Sequence, residues 1–295
     1  MDDLEANSFL QARAYAKINL YLHITGRRDD GYHLIDSMFA LVNVFDIITV
    51  SAAEDLLLEI EGPFSSAIGP NEENLVIKAA KLLAKKTDTK KGALIKLQKN
   101  LPPASGIGGG SSDAATTLKL LQHFWQSPIT TNKLGRLATE IGADLPAFML
   151  GKNCYVSGIG DVIAAAPNLP ETNLVMVNPG IPLPTADVYN IETKNHSGIF
   201  KKVLSPHYSA SSLARYLASS RNDLLPNALK IVPEIANVLR LLIKLDGCLL
   251  ARMSGSGATC FGLYETEEKA TKAAEIISSG NPAWWVKATK FFSAG

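Results

Sequence analysis

Long apolar runs are missing from this chain of 295 residues, and none approaches the roughly 20 residues that a membrane-spanning helix needs. Cysteine is scarce. Cys154, Cys248 and Cys260 are odd in number, scattered and set in apolar surroundings. That pattern excludes a disulfide framework and fits small buried side chains in a reducing compartment. No Cys/His cluster has metal-ligand spacing. Charge of either sign is not in excess: 29 Lys and Arg face 28 Asp and Glu, for a net charge of +1. No global field therefore favours nucleic acid or an acidic membrane, and any anion must be held by local geometry. The opening Met1-Asp2-Asp3-Leu4-Glu5 is acidic, unlike a signal or transit peptide, so the cytoplasm is the expected location.

Several nucleotide-binding signatures are absent too. No Gly-Lys-Ser/Thr follows a four-residue spacer, which excludes a Walker A loop. Gly106-Ile107-Gly108 is followed by Gly109-Gly110-Ser111, so the dinucleotide fingerprint lacks its last glycine. His-Arg-Asp and Asp-Phe-Gly, the protein-kinase marks, do not occur.

What is there is concentrated in Leu101-Pro102-Pro103-Ala104-Ser105-Gly106-Ile107-Gly108-Gly109-Gly110-Ser111-Ser112-Asp113. Four glycines in five positions allow positive φ and close approach of backbone to a ligand. Ser111 or Ser112 is placed to cap the helix expected over 112–126, whose first N–H groups lack internal partners. Such an end attracts anions, phosphate above all. A flexible Gly/Ser linker is the competing reading, but a linker does not run straight into an apolar segment of helical spacing.

The chain exceeds one ordinary domain, and 46% apolar residues can bury a large core. Strands are expected over 13–24, 34–50, 56–60, 94–97, 155–162, 174–177, 248–253, 258–264 and 284–292. Helices are expected over 72–86, 112–126, 131–141, 185–191, 213–218 and 265–278, with another over 225–245 broken near Pro233. Pro167 and Pro170 mark a boundary, giving domains 1–166 and 167–295. Residues 194–212 read as a surface connection. The mixture is α+β.

Two polar sites, Lys17 with Asn19 and Asp144, suit phosphoryl transfer, which needs positioning, charge stabilisation and a home for the acceptor proton. Lys17 and Asn19 share one face of an otherwise apolar strand; a charged edge strand would look the same. Asp144 follows Gly142, and Leu145 before Pro146 is expected to be extended, which places Asp144 at a chain reversal. A solvated turn aspartate is the plain alternative. Ser254-Gly255-Ser256-Gly257 is either a hairpin turn or a second backbone wall. Tyr32-His33 is an aromatic pair in a loop.

In this order, Ala16-Lys17-Ile18-Asn19-Leu20, Asp30-Gly31-Tyr32-His33, Asn74-Leu75, Gly106 to Ala115, Gly142-Ala143-Asp144-Leu145-Pro146 and Met253 to Thr259 resemble the GHMP kinase superfamily across almost the whole chain. The resemblance implies a two-domain fold, ribosomal protein S5 domain 2-like at the N-terminus and ferredoxin-like at the C-terminus. It implies ATP and Mg²⁺, the latter with protein ligands that the sequence does not identify. Gly-Tyr-His and Gly-Ala-Asp-x-Pro resemble the branch that phosphorylates the 2-hydroxyl of a cytidylated methylerythritol; homoserine, mevalonate and sugar kinases, or a silent nucleotide-binding regulator, are the alternatives. By carry-over, Asp144 is the base and Lys17 its partner. Pro102, Pro103, Ala104, Ser105, Gly106, Ile107, Gly108, Gly109, Gly110, Ser111 and Ser112 wrap the ATP phosphates, and Asn74 lies near adenine. Asn19, Tyr32, His33 and Tyr189 face the substrate, with the two tyrosines stacking on cytosine and His33 bonding its edge. The family usually carries glycine at Ala104 and Ser105 and leucine at Ile107. The expected partner is a small molecule, not nucleic acid or membrane, and the expected state is a monomer or weak homodimer.

Overall fold

The computed structural model describes residues 9–69, 72–191, 197–200 and 209–292. Two compact units emerge from the packing. The first takes residues 1–16, 45–103 and 109–150; the second takes 17–44, 104–108 and 151–295. The long strands β1 (Leu10–Arg27) and β2 (His33–Ser51), which pair with each other, contribute to both units.

In the first unit, β3 (Leu56–Glu61) lies parallel to β4 (Ala93–Gln98), and β4 pairs antiparallel with Ile47–Ser51 of β2. Parallel neighbours need a crossover, which α1 (Leu75–Thr87) supplies. β4 alternates buried Ala93, Ile95 and Leu97 with more exposed residues, the period-two pattern of a sheet covered on one face. The covering layer is α1 with α2 (Gly109–Phe124) and α3 (Thr131–Ile141). Val76, Ala80 and Leu83 of α1, Leu118 and Leu121 of α2, and Leu134 and Leu137 of α3 share one core with Ile48, Val50 and Ile95.

In the second unit, Ile35–Phe39 of β2 pairs antiparallel with β5 (Cys154–Gly158), which turns into β6 (Val162–Ala165). A separate antiparallel sheet has the order β10-β7-β9-β8, built from β7 (Asn173–Asn178), β8 (Cys248–Met253), β9 (Cys260–Tyr264) and β10 (Trp285–Lys290). Numbered within that sheet, the order is 4-1-3-2, the ferredoxin-like arrangement that the resemblance implies. Helices α5 (Thr185–Asn190), α6 (Ala210–Leu217), α7 (Leu225–Ile231) and α8 (Glu234–Lys244) fall between β7 and β8, and α9 (Glu267–Gly280) between β9 and β10. Among the described residues, no helix is long and apolar enough to cross a membrane.

Three local expectations need correction. First, α2 begins at Gly109, so Ser111 and Ser112 lie in its first turn rather than capping it. Glycine is a poor helix former, but here the turn packs tightly: a Cβ on Gly109 would stand 3.1 Å from Lys99 Nζ, closer than an ordinary contact. Second, Leu145 is not extended; it opens a short helix, α4 (Leu145–Leu150). Pro146 falls in the first turn, where its missing N–H costs no hydrogen bond, and fully buried Leu145 joins the core of the first unit. Third, 155–162 is not one strand. Gly158 and Gly160 adopt φ of +67° and +113°, and Asp161 Oδ1 accepts from the Ile159 amide at 3.1 Å, which turns β5 back into β6. Of the surface connection expected over 194–212, residues 194–196 and 201–208 lie outside the described residues.

Candidate active site

Lys17 and Asn19 fall in a stretch of β1, Ala16 to Ile24, in which every residue is buried. Lys17 is 4% exposed, so the solvated edge-strand reading fails. Burial of an ammonium is costly unless it is paired and hydrogen-bonded. Lys17 Nζ donates to Asn19 Oδ1 at 2.5 Å, sits 4.3 Å from the centre of the Phe39 ring, and reaches the Gly106 carbonyl at 3.5 Å. Asn19 Nδ2 in turn donates to Ser37 Oγ at 2.8 Å, whose hydroxyl donates to the Tyr21 carbonyl at 2.5 Å. The chain of bonds fixes where the lysine head sits.

The loop 104–108 is held against the same unit by its carbonyls. Those of Ala104, Ser105, Gly106 and Ile107 accept, respectively, from the Leu183 amide at 3.2 Å, the Thr259 amide at 3.2 Å, Ser254 Oγ at 3.0 Å and the Lys17 amide at 3.0 Å. With four consecutive carbonyls occupied by protein donors, what the loop can offer a ligand is its amide side. Gly106 has φ of +76°, and a Cβ there would stand 2.4 Å from the Ser254 carbonyl oxygen, so glycine is required. The Ser254–Gly257 cluster is thus both the β8–β9 connection and a wall against the loop. The Asn19 amide donates to Ser254 Oγ at 3.1 Å, and Asn222 Nδ2 donates to the Met253 and Gly255 carbonyls at 2.9 and 2.8 Å. Asn222 escaped the reading of the sequence; its only local mark is Asn222-Asp223 just before a helix.

Ala104 is an outlier of a different kind. Its φ is +47°, left-handed for a residue with a Cβ, and its methyl is exposed. That conformation costs an alanine about 1–2 kcal/mol. Ala104→Gly removes the strain and loses part of the gain to unfolded-chain entropy, so it is expected to stabilise by roughly 0.5–1 kcal/mol. A urea unfolding curve reads this as a higher midpoint; a lower one would refute the strain.

The other expected residues lie apart from this cluster. Gly109, Gly110 and Ser111 open α2 in the first unit, where the first amides have no carbonyl of their own helix within reach. Ser112 is buried and its hydroxyl donates to the Tyr15 carbonyl at 2.7 Å. Asn74 caps α1: its Oδ1 accepts from the Val76 amide at 3.0 Å while Nδ2 donates to the Gly69 carbonyl at 2.9 Å. Asp144, half-buried between α3 and α4, also belongs to the first unit; its carbonyl accepts from the Ala147 amide at 3.2 Å. In the second unit the His33 and Tyr189 rings meet at 5.3 Å with a 46° tilt, and the side chain of Tyr32 beside them in sequence is 60% exposed. A flat ring can be received by such a surface.

Known proteins match this chain along most of its length. The GHMP kinases N terminal domain matches residues 74–152, and the GHMP kinases C terminal domain matches 208–283. A 4-diphosphocytidyl-2-C-methyl-D-erythritol kinase of Paramagnetospirillum magneticum is 46% identical over 280 residues, which are 95% of this chain and 98% of that one. The chain belongs to the GHMP kinases, in the 4-diphosphocytidyl-2-C-methyl-D-erythritol kinase family. A relative of the same name from Cereibacter sphaeroides is 44% identical, covering 94% of this kinase and 97% of its own length. The crystal structure of a 4-(cytidine 5'-diphospho)-2C-methyl-D-erythritol kinase superposes with a TM-score of 0.80 at 31% identity, covering 97% of this chain and 100% of that one. A homoserine kinase from Cytophaga hutchinsonii, at a TM-score of 0.74 over 98% of this chain and 96% of that one, is 16% identical and shares the fold. The two-domain GHMP α+β fold is therefore the fold of this chain, and the chain is an ATP-dependent small-molecule kinase.

Proposed function

We propose that this kinase moves the γ-phosphoryl group of ATP to the 2-hydroxyl of 4-diphosphocytidyl-2-C-methyl-D-erythritol. The observation that carries the reading is the end-to-end identity with relatives of that name, against 16% for the homoserine kinase. In the transfer, the alcohol oxygen bonds to the γ-phosphorus, the bond to the β-phosphate bridging oxygen breaks, and ADP leaves. The amides of the glycine loop and of the first turn of α2 receive the phosphates. Asn74, at the start of α1, lies near adenine. Asp144 takes the proton of the attacking hydroxyl. Lys17, held by Asn19 and Phe39, faces the charge that grows on the transferring oxygens. Asn19 also faces the acceptor, and Tyr32, His33 and Tyr189 receive the cytosine ring.

Among the described residues no group of three or more His, Cys, Asp and Glu is placed to hold a metal. Mg²⁺ would be held chiefly by the substrate phosphates, a mode that needs few protein ligands. When bound, the ion neutralises phosphate charge.

An assay coupled to ADP release tests the reading. Turnover is expected with the cytidylated alcohol and is expected to disappear when the cytidine diphosphate group is removed from it. Silence with the cytidylated alcohol, together with turnover of homoserine or mevalonate, would refute the assignment.

A further inference from the structure

Three charged side chains are buried together in the first unit, and the mechanism above uses none of them. Lys99 follows the end of β4, Asp46 lies in β2 and Asp113 in the opening of α2. Their side chains are 3%, 0% and 2% exposed. Lys99 Nζ bonds Asp46 Oδ2 and, at 2.7 Å, Asp113 Oδ2. The remaining oxygen of Asp46 is occupied as well: Oδ1 accepts the amides of Asn100 at 2.6 Å and Leu101 at 2.8 Å, the residues that lead from β4 into the glycine loop. The second oxygen of Asp113, also buried, has no hydrogen-bond partner among the described residues.

Stability alone does not account for such a group. Two carboxylates and one ammonium withdrawn from water carry desolvation costs that an apolar trio of the same volume would avoid. Burial, against the pull of Lys99, raises the Asp113 carboxyl above the usual carboxylate range, a mark of that cost. What the three do achieve is geometric. One ammonium ties the chain entering the loop, through Asp46, to the first turn of the helix leaving it, through Asp113. Lys99 also lies directly under that turn, since a Cβ on Gly109 would approach its Nζ to 3.1 Å.

We propose that Lys99, Asp46 and Asp113 are positioning residues for the phosphate loop, setting the first-turn amides of α2 in the register that receives the ATP phosphates. The inference rests on the reading of that loop as the ATP site. Amides displaced from a charged ligand lose hydrogen bonds of about 1.5–3 kcal/mol each, so a misplaced turn weakens ATP by roughly 10-fold or more.

The test is steady-state kinetics of the full chain, with KM for each substrate, kcat and the thermal midpoint measured together. Asp113→Ala is expected to raise KM for ATP about 10-fold while KM for the alcohol stays within about 2-fold. Asp113→Asn keeps an oxygen for Lys99 and is expected to restore KM for ATP to within about 3-fold of the parent. A lower thermal midpoint with KM for ATP unchanged in Asp113→Ala, or a rise of both KM values together, would overturn the proposal. Should Asp113→Ala not fold, Asp46→Asn serves instead. It keeps Oδ1 for the Asn100 and Leu101 amides but turns an NH₂ donor toward Lys99. A raised KM for ATP supports the proposal and an unchanged one overturns it. Failure of the underlying reading is separate, because the parent chain itself would then not consume ATP.

Discussion

Lys17→Met is expected to lower kcat by roughly 10²-fold or more while the protein stays folded. Methionine nearly matches the lysine stem in volume, and its thioether keeps a favourable contact with the Phe39 ring that now lies 4.3 Å from the ammonium. The structural loss is the bond to Asn19 Oδ1, and an acceptor left buried without its donor costs about 1–3 kcal/mol. Part of that returns because the desolvated charge is gone. The thermal midpoint should therefore fall modestly and kcat severely. KM for ATP is expected to change little, since on the proposed reading the lysine meets charge that appears only as the phosphoryl group moves. Turnover within a few-fold of the parent would remove Lys17 from the chemistry. A collapse of the thermal midpoint with turnover retained by the folded fraction would make it a packing residue.

The reason Lys17 was legible in the sequence bears on what was not. A charge inside an apolar strand stands out when its neighbours are read two apart, and Ala14, Ala16, Ile18 and Leu20 framed it. The glycine loop was legible because four glycines before an apolar helical run have few uses. The strand and helix order from β7 to β10 followed from periodicity and from turn residues such as Pro233, which parts α7 from α8. Asp46 carries the same mark as Lys17, a lone charge among Val44, Phe45, Ile47 and Ile48. It went unread because its partners, Lys99 and Asp113, lie 53 and 67 positions away and meet it only when β2, β4 and α2 pack. The start of α2 was misplaced because propensity argues against helix at Gly109 and Gly110, whereas close packing on Lys99 and Leu101 favours glycine at 109. Likewise two borders of the compact units, Ala16/Lys17 and Val44/Phe45, fall inside continuous strands with no proline or glycine to show them, whereas the other three fall at Pro103/Ala104, Gly108/Gly109 and Leu150/Gly151. Local chemistry was readable where one segment contains the whole signal; long-range pairing was not.

Asp144→Asn is expected to cut kcat by roughly 10²- to 10⁴-fold, the range of a lost general base, with a stability change within about 0.5 kcal/mol. The substitution removes one negative charge and one proton acceptor and little else. It is the backbone carbonyl of residue 144, not its carboxylate, that accepts from Ala147, so asparagine keeps the turn into α4. A loose transition state leaves proton removal late, which favours the lower end of the range. Residual turnover would come from ATP positioned by the loop amides and from Lys17, so KM for ATP should stay within a few-fold of the parent. The sharper measurement is the double variant. If Asp144 and Lys17 serve one transfer, their effects are grossly non-additive, and Lys17→Met in the Asp144→Asn background should cost about 10-fold or less beyond the worse single variant. Full multiplication of the two losses would mean that the residues act on separate events. Near-normal turnover of Asp144→Asn alone would mean that the alcohol proton leaves by another route.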